Sequence, residues 1–324
     1  FTLVRLSEAL DVYKRQDDIF RNKSVYIAYN RTSDFEDNIS RNGFYLSSNF
    51  QFVNYWGLNF NSSYNFKSVS TNLTRGGAKT NMPSNVSLNF SAYSDSREKI
   101  IFSPYFSYWV NELGSNEKYF GLEFEWKPSS QVSFSVGPEY GFNYTSYQWV
   151  GNFSDQYATN TYNTRYVFSR LTQNTLSANI RLNWIFTPTL SLQLYMQPLL
   201  SVGDYKDFRE LINTPTLDHK LYGSENTSIS YDQESNTYTA DPDANGPAAL
   251  FSFYNPDFNF KSLRGNIVLR WEALPGSVFY FAWTNSRTNF ENPGEFSFKN
   301  DFSNLLKSES DDIFLVKFSY WIDI

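Results

Sequence analysis

The stretch LSANIRLNWIFTPTLSLQLYMQPLLSV, Leu176 to Val202, leaves this chain little choice of fold. Leu176, Ala178, Ile180, Leu182, Trp184 and Phe186 are apolar at every second position, with Ser177, Asn179, Arg181 and Asn183 in the gaps. That is the period of a strand with one apolar face, not of a helix. Thr187-Pro188-Thr189 breaks the run as a tight turn. Leu190, Leu192, Leu194, Met196, Leu200 and Val202 then alternate with Ser191, Gln193, Tyr195 and Gln197. Both arms exceed the roughly 9 to 11 residues that a tilted strand needs to cross a bilayer, and the second face is rich in amides, which suits water better than a dry core. The hairpin reads as part of an all-β, antiparallel, up-and-down transmembrane β-barrel.

The same design recurs along the chain. Phe44, Leu46, Phe50 and Phe52 lead through a short turn near Asn54 to Trp56, Leu58, Phe60, Tyr64 and Phe66; later runs centre on Phe90, Phe106, Phe124 and Phe134. Tight turns and long loops should alternate between the two sides of such a barrel. That rule, and the shared even phase of Tyr166 and Phe168 with Leu176 to Phe186, joins Asn163 to Thr187 into one strand. About 12 strands follow for residues 17–324, with the C-terminus inside and long external loops at 67–84, 145–162, 204–258 and 285–310. The last strand, IFLVKFSYWIDI, alternates as an insertion signal for the barrel-insertion machinery does, although it ends in Ile324 rather than an aromatic residue. Tyr205 to Ile212, YKDFRELI, has a short helical period and reads as a candidate plug. Phe1 to Gln16 lacks the alternation and the pattern of a signal peptide; it reads as a non-native, scar-like segment, with the barrel truncated at its N-terminus.

Composition narrows the function. Phe, Tyr and Trp make up 19% of the residues, and the longest apolar runs are a few residues, far short of the roughly 18 that a spanning helix needs. A net charge of -6 argues against nucleic acid as a partner. The lack of cysteine removes disulfides and thiolate chemistry, and it agrees with an envelope protein.

Two stretches carry a resemblance. TLSANIRLNWIFTPTLSLQLYMQPLLSVGDY, Thr175 to Tyr205, and LRGNIVLRWEALPGSVFYFAWTNSR, Leu263 to Arg287, resemble the C-terminal barrel of a Bacteroidota outer-membrane family of unknown function. There the barrel follows a domain like carbohydrate-binding module family nine. The resemblance covers Tyr166 to Ile324 most closely. It implies that the carbohydrate-binding-like domain and the first strands precede this chain, and it carries over no catalytic residue.

The candidate site residues fall into three groups. Glu123, Glu125, Glu139, Arg181, Arg270 and Lys317 lie on the non-lipid face; they read either as a charged constriction or as a network of paired charges filling a narrow lumen. Asp241, Asp243 and Asn245 in DPDANG match the start of a calcium loop, but Ser252 stands where its closing glutamate belongs, so an Asp-Pro-Asp turn is the competing reading. Tyr222, Tyr231, Tyr238 and Tyr254 are loop aromatics able to stack on sugar rings. His219 is the only histidine, so no histidine-based triad or multi-histidine metal site is available. Three functions stay open: a non-enzymatic envelope barrel contacting lipid and a glycan, a solute-conducting barrel, and a part of a carbohydrate-active hydrolase whose active site lies elsewhere.

Overall fold

A computed structural model describes residues 18–224 and 226–321. The readings of Phe1 to Gln16 and of the terminal Ile324 lie outside the described residues. The first strands are β1 (Phe20–Ser33), β2 (Ile39–Phe52), β3 (Gly57–Asn65), β4 (Ser68–Ser70), β5 (Thr80–Met82) and β6 (Asn85–Tyr93). β7 (Ile100–Asn111), β8 (Asn116–Ser129), β9 (Val132–Ser154), β10 (Thr164–Thr187) and β11 (Leu190–Leu211) come next. After them stand β12 (His219–Leu221), β13 (Ser228–Asp232), β14 (Thr237–Asp241), β15 (Phe251–Tyr254), β16 (Phe258–Leu274) and β17 (Ser277–Asn289). α1 (Phe298–Lys307) and β18 (Ser310–Ser319) complete the chain.

Among the described residues twelve strands form one antiparallel up-and-down path, β1-β2-β3-β6-β7-β8-β9-β10-β11-β16-β17-β18. β1 and β18 are its two ends. The fold is all-β, of the up-and-down barrel type, and the long strand beginning beside Asn163 is present as β10. Tight turns, such as those at 187–190 and 274–277, gather at one end and the long connections at the other.

Register separates the two faces. One row runs Phe134, Leu182, Leu194, Ile267, Trp283, Phe314 across six strands. The row beside it runs Glu125, Ser135, Arg181, Tyr195, Asn266, Thr284. Trp126, Trp184, Phe186, Trp271, Phe279 and Phe318, near the tight turns, are all exposed on the apolar face, and several are paired, as Trp184 with Phe186 at 4.4 Å and Phe279 with Phe318 at 4.4 Å. Exposed rings in a belt at the strand ends match an aromatic girdle at a membrane surface.

On the polar face, rings lie on glycines. Tyr105 pairs with Gly121 and Tyr119 with Gly141, and a Cβ on either glycine would collide with the ring above it. Over Gly121 the Tyr105 hydroxyl reaches Glu139, two strands away. Such reach across a missing side chain suits the concave side of a curved sheet.

Four sequence readings need correction. The loops assigned to 145–162 and 204–258 begin as strand: β9 runs on to Ser154 and β11 to Leu211. Tyr205 to Ile212 is therefore not a helical plug; Tyr205 to Leu211 is the end of β11. The register between β10 and β11 slips between Phe168 and Arg170, and Asp207 adopts a φ of 55°. The extra residue brings Tyr205 and Phe208, three apart, into one cluster, and so imitates a helical period. The loop at 285–310 likewise opens as β17 and holds α1.

Placing charge on the apolar face should be costly. Leu182→Arg is expected to destabilise the protein in vesicles by about 2–4 kcal/mol, and Asn183→Arg, its neighbour on the polar face, by less than about 1 kcal/mol. Urea titration followed by the mobility of unboiled samples on gels checks this; equal losses would contradict the face assignment.

Candidate functional site: the external head

β9, β10 and β11 outrun the apolar band, and above it both of their faces are covered by protein. Val167 of β10 packs with Phe208, Tyr222 and Ala240 beneath the three-stranded sheet β13-β14-β15. The alternate residues Tyr166 and Phe168 pack with Leu211, Trp149, Leu73 and Ala78, the last two from the connection that carries β4 and β5. Val167 and Phe168 are each 0% exposed. A strand buried on both faces is apolar at consecutive positions, as at Tyr166, Val167 and Phe168, so alternation places β10 here without showing that both of its faces are covered.

At the edge of this head lies a buried charge cluster. Arg165 donates through Nε to Asp155 Oδ2 at 2.6 Å and through Nη1 to Glu210 at 2.8 and 2.6 Å. Removing one partner of a buried pair costs about 3–5 kcal/mol, so this is first a structural clamp. Tyr222 is buried against it, and burial followed by the Glu210 charge pushes its phenol pKa upward. A recess of about 240 Å³ opens above the clamp, lined among others by Tyr157, Asn160, Thr161, Arg165, Glu210 and Lys220. It offers amide, hydroxyl and ammonium groups beside a half-exposed ring.

The lumen candidates share the polar face but are not joined to one another. Glu125 pairs with Lys127 at 2.9 Å and Arg270 with Glu272 at 2.9 Å, each within its own strand. Glu139 accepts from Tyr105, and Glu123 lies over Gly137. Arg181 stands 5.3 Å from the Tyr195 ring and Lys317 5.9 Å from the Tyr280 ring. The acids are on β8 and β9, the bases on β10, β16 and β18.

One oxygen of each DPDANG aspartate bonds to its own loop, while Asp243 Oδ1 is buried without a partner. Asp241 Oδ1 accepts from the Asp243 and Ala244 amides at 3.2 and 2.8 Å, and Asp243 Oδ2 from the Ala248 amide at 3.0 Å. Asn245 lies between these anchors. No group of three or more acidic, histidine or cysteine side chains is placed to hold a metal ion among the described residues.

The four tyrosines do not form one platform. Tyr222 is 5% exposed. Tyr231 and Tyr238 are partners across β13 and β14 at 4.7 Å between ring centres, whereas Tyr254 alternates with Phe253 and points to the other face of that sheet, 78% exposed. Tyr157, Arg165, Glu210 and Lys220 escaped the sequence reading. The one local signal was charge set directly beside apolar residues, Arg165 before Tyr166-Val167 and Glu210 before Leu211.

His219 supplies a pH test of the head. Its Nδ1 lies 2.9 Å from the Tyr147 hydroxyl and its Nε2 3.4 Å from Arg209. Burial, and then the Arg209 charge, lower its pKa below the ordinary 6.5. Its stabilisation is complete above that value and is lost as pH falls through the lowered folded value, because the unfolded chain binds the proton first. Hydrogen exchange, corrected for intrinsic rates, should show residues 217–221 losing protection between pH 7.5 and 5. His219→Gln should remove that dependence, and an unchanged dependence in the variant would assign it to another group.

Among solved structures the chain is similar to the copper transporter OprC at 11% identity, with a TM-score of 0.46, covering 96% of this chain and 44% of that one. It thus spans less than half of that transporter's length. It is also similar to the NanC porin at 9% identity, with a TM-score of 0.26, covering 92% of this chain and 99% of that one. No curated protein matches. A family profile matches residues 11–324. The chain belongs to the family described as Domain of unknown function (DUF5916).

Proposed function

We propose that this chain is the outer-membrane β-barrel domain of a Gram-negative cell-envelope protein, and that its external head binds a ligand of the glycan class. The observation that carries the reading is the head itself: three strands extended past the apolar band, packed on both faces, and ending at a polar recess beside Tyr157 and Lys220. Hydroxyl-rich ligands are held by amides, hydroxyls and a ring face, which the recess supplies. The exposed aromatic belt supports the membrane setting. The alternating β18, with Phe314, Val316 and Phe318 on one face, supports recognition by the barrel-insertion machinery. A carbohydrate-binding-like domain preceding the barrel, as in the Bacteroidota family that the sequence resembles, would act on the same class of ligand.

Affinity electrophoresis of the detergent-folded protein through gels containing xylan, dextran, starch or pectin tests the glycan reading. Retardation by at least one polysaccharide is expected, weakened several-fold in a Tyr157→Ala, Lys220→Ala double variant. Unchanged mobility of folded protein in all of them would overturn it.

Arg181 and Lys317, which stand by tyrosine rings on the polar face, favour a second reading, a solute-conducting barrel. In planar bilayers that reading expects steady ohmic steps whose ion selectivity shifts toward cations in Arg181→Ala. A silent bilayer with insertion shown independently would remove it.

A further inference from the structure

The connection between β17 and β18 folds back onto the outside of the sheet. Leu305 of α1 is 0% exposed and packs on Leu200 and Leu263, with Leu176 and Met196 beside them. All four partners belong to the apolar face and lie at its upper margin, where Leu263 pairs with Arg287. Above them the same face turns polar: Lys261, 0% exposed, donates to Asn289 Oδ1 at 2.9 Å and the Glu291 carbonyl at 2.7 Å, with Asp301 at 3.6 Å. Asn259 donates to Asp301 at 2.9 Å, and Arg287 donates to the Leu306 carbonyl at 2.6 Å at the end of the helix. The contacts of Asp301 with Asn259 and Lys261, and that of Arg287 with the Leu306 carbonyl, hold α1 against the apolar face of the sheet.

The helix has three stripes. Asp301 and Leu305 face the wall. Phe298, Phe302 and Leu306, four residues apart, form the next stripe; Phe298 and Phe302 are stacked at 5.9 Å, and Phe298 and Leu306 are 55% and 47% exposed. Lys299, Ser303 and Lys307 form the third. An apolar stripe set beside the wall-facing one, followed by a cationic stripe, is the arrangement of a helix lying in a membrane surface. Through Leu305 the helix meets Leu200 and Leu263 with Met196 beside them, and Met196 pairs with Ile180 on the same face.

We propose that α1 is an interfacial foot: Phe298, Phe302 and Leu306 contact the acyl chains of the outer leaflet, and Lys299 and Lys307 lie at headgroup depth. The inference rests on the membrane reading above and adds to the lipid-contacting surface an element that is not part of the sheet. It explains why an external connection exposes large apolar side chains. Lysine stems suit that depth because they extend along apolar surface and keep the ammonium in water.

The cysteine-free sequence allows a single probe. Leu306→Cys, Asn300→Cys and Leu269→Cys, each labelled with the fluorophore NBD in the otherwise intact chain, are inserted in phosphatidylcholine vesicles. Quenching by lipids with a nitroxide high on the acyl chain is compared with quenching by aqueous iodide. The Leu306 label should be quenched several-fold more by the lipid nitroxide than the Asn300 label, with the order reversed for iodide. Equal or inverted quenching at these two sites, with the Leu269 label quenched by lipid, overturns the foot and leaves the barrel standing. Failure at Leu269 as well overturns both.

Discussion

Backbone pairing in an apolar surrounding is the constraint on which this architecture depends. In the membrane setting proposed above, a strand whose outer face carries Leu182, Leu194 or Ile267 would have no water on that side to satisfy its amides, so each must bond to a neighbouring strand. The twelve-strand path answers that demand with antiparallel neighbours throughout. Tight turns such as Thr187-Pro188-Thr189 follow, because antiparallel neighbours need only a short link. Charge is then sorted by position: Glu125 and Arg181 share a row of the polar face, and Lys261, on the other face, is enclosed by the connection that bears α1.

Curvature comes from the inner side. Tyrosine rings over Gly121 and Gly141 occupy the space that a Cβ would take. The same placement lets Tyr105 span to Glu139, tying three strands through side chains as well as backbone. A polar interior of this kind is held by hydroxyl and carboxylate contacts rather than by apolar burial, in contrast to the head.

The head is a small buried core grown from the ends of β9, β10 and β11. Val167 and Phe168 point in opposite directions, and both are fully enclosed, one beneath β13 to β15 and the other beneath the β4–β5 connection. The bulge at Asp207 redirects the strand end so that Tyr205 and Phe208 join one cluster. The buried Asp155–Arg165–Glu210 clamp fixes the edge where the recess forms, so binding groups there are presented by a rigid floor. Long connections thus serve two ends: one packs into the head, and the one bearing α1 returns to the outer wall.

Alternation by itself determined the apolar and polar faces and the strand path, because a half-buried strand writes its environment into every second residue. Glu125, Arg181 and Arg270 were legible as inward for that reason. Their lack of mutual partners was not, since strand phase says nothing of distance across the sheet. The head and its recess were decided by tertiary structure alone. Once both faces of a strand are buried in protein the period disappears, a single bulge shifts phase as at Asp207, and residues as far apart in sequence as Asp155, Arg165, Glu210 and Lys220 are brought together only by the pairing of β9, β10, β11 and β12.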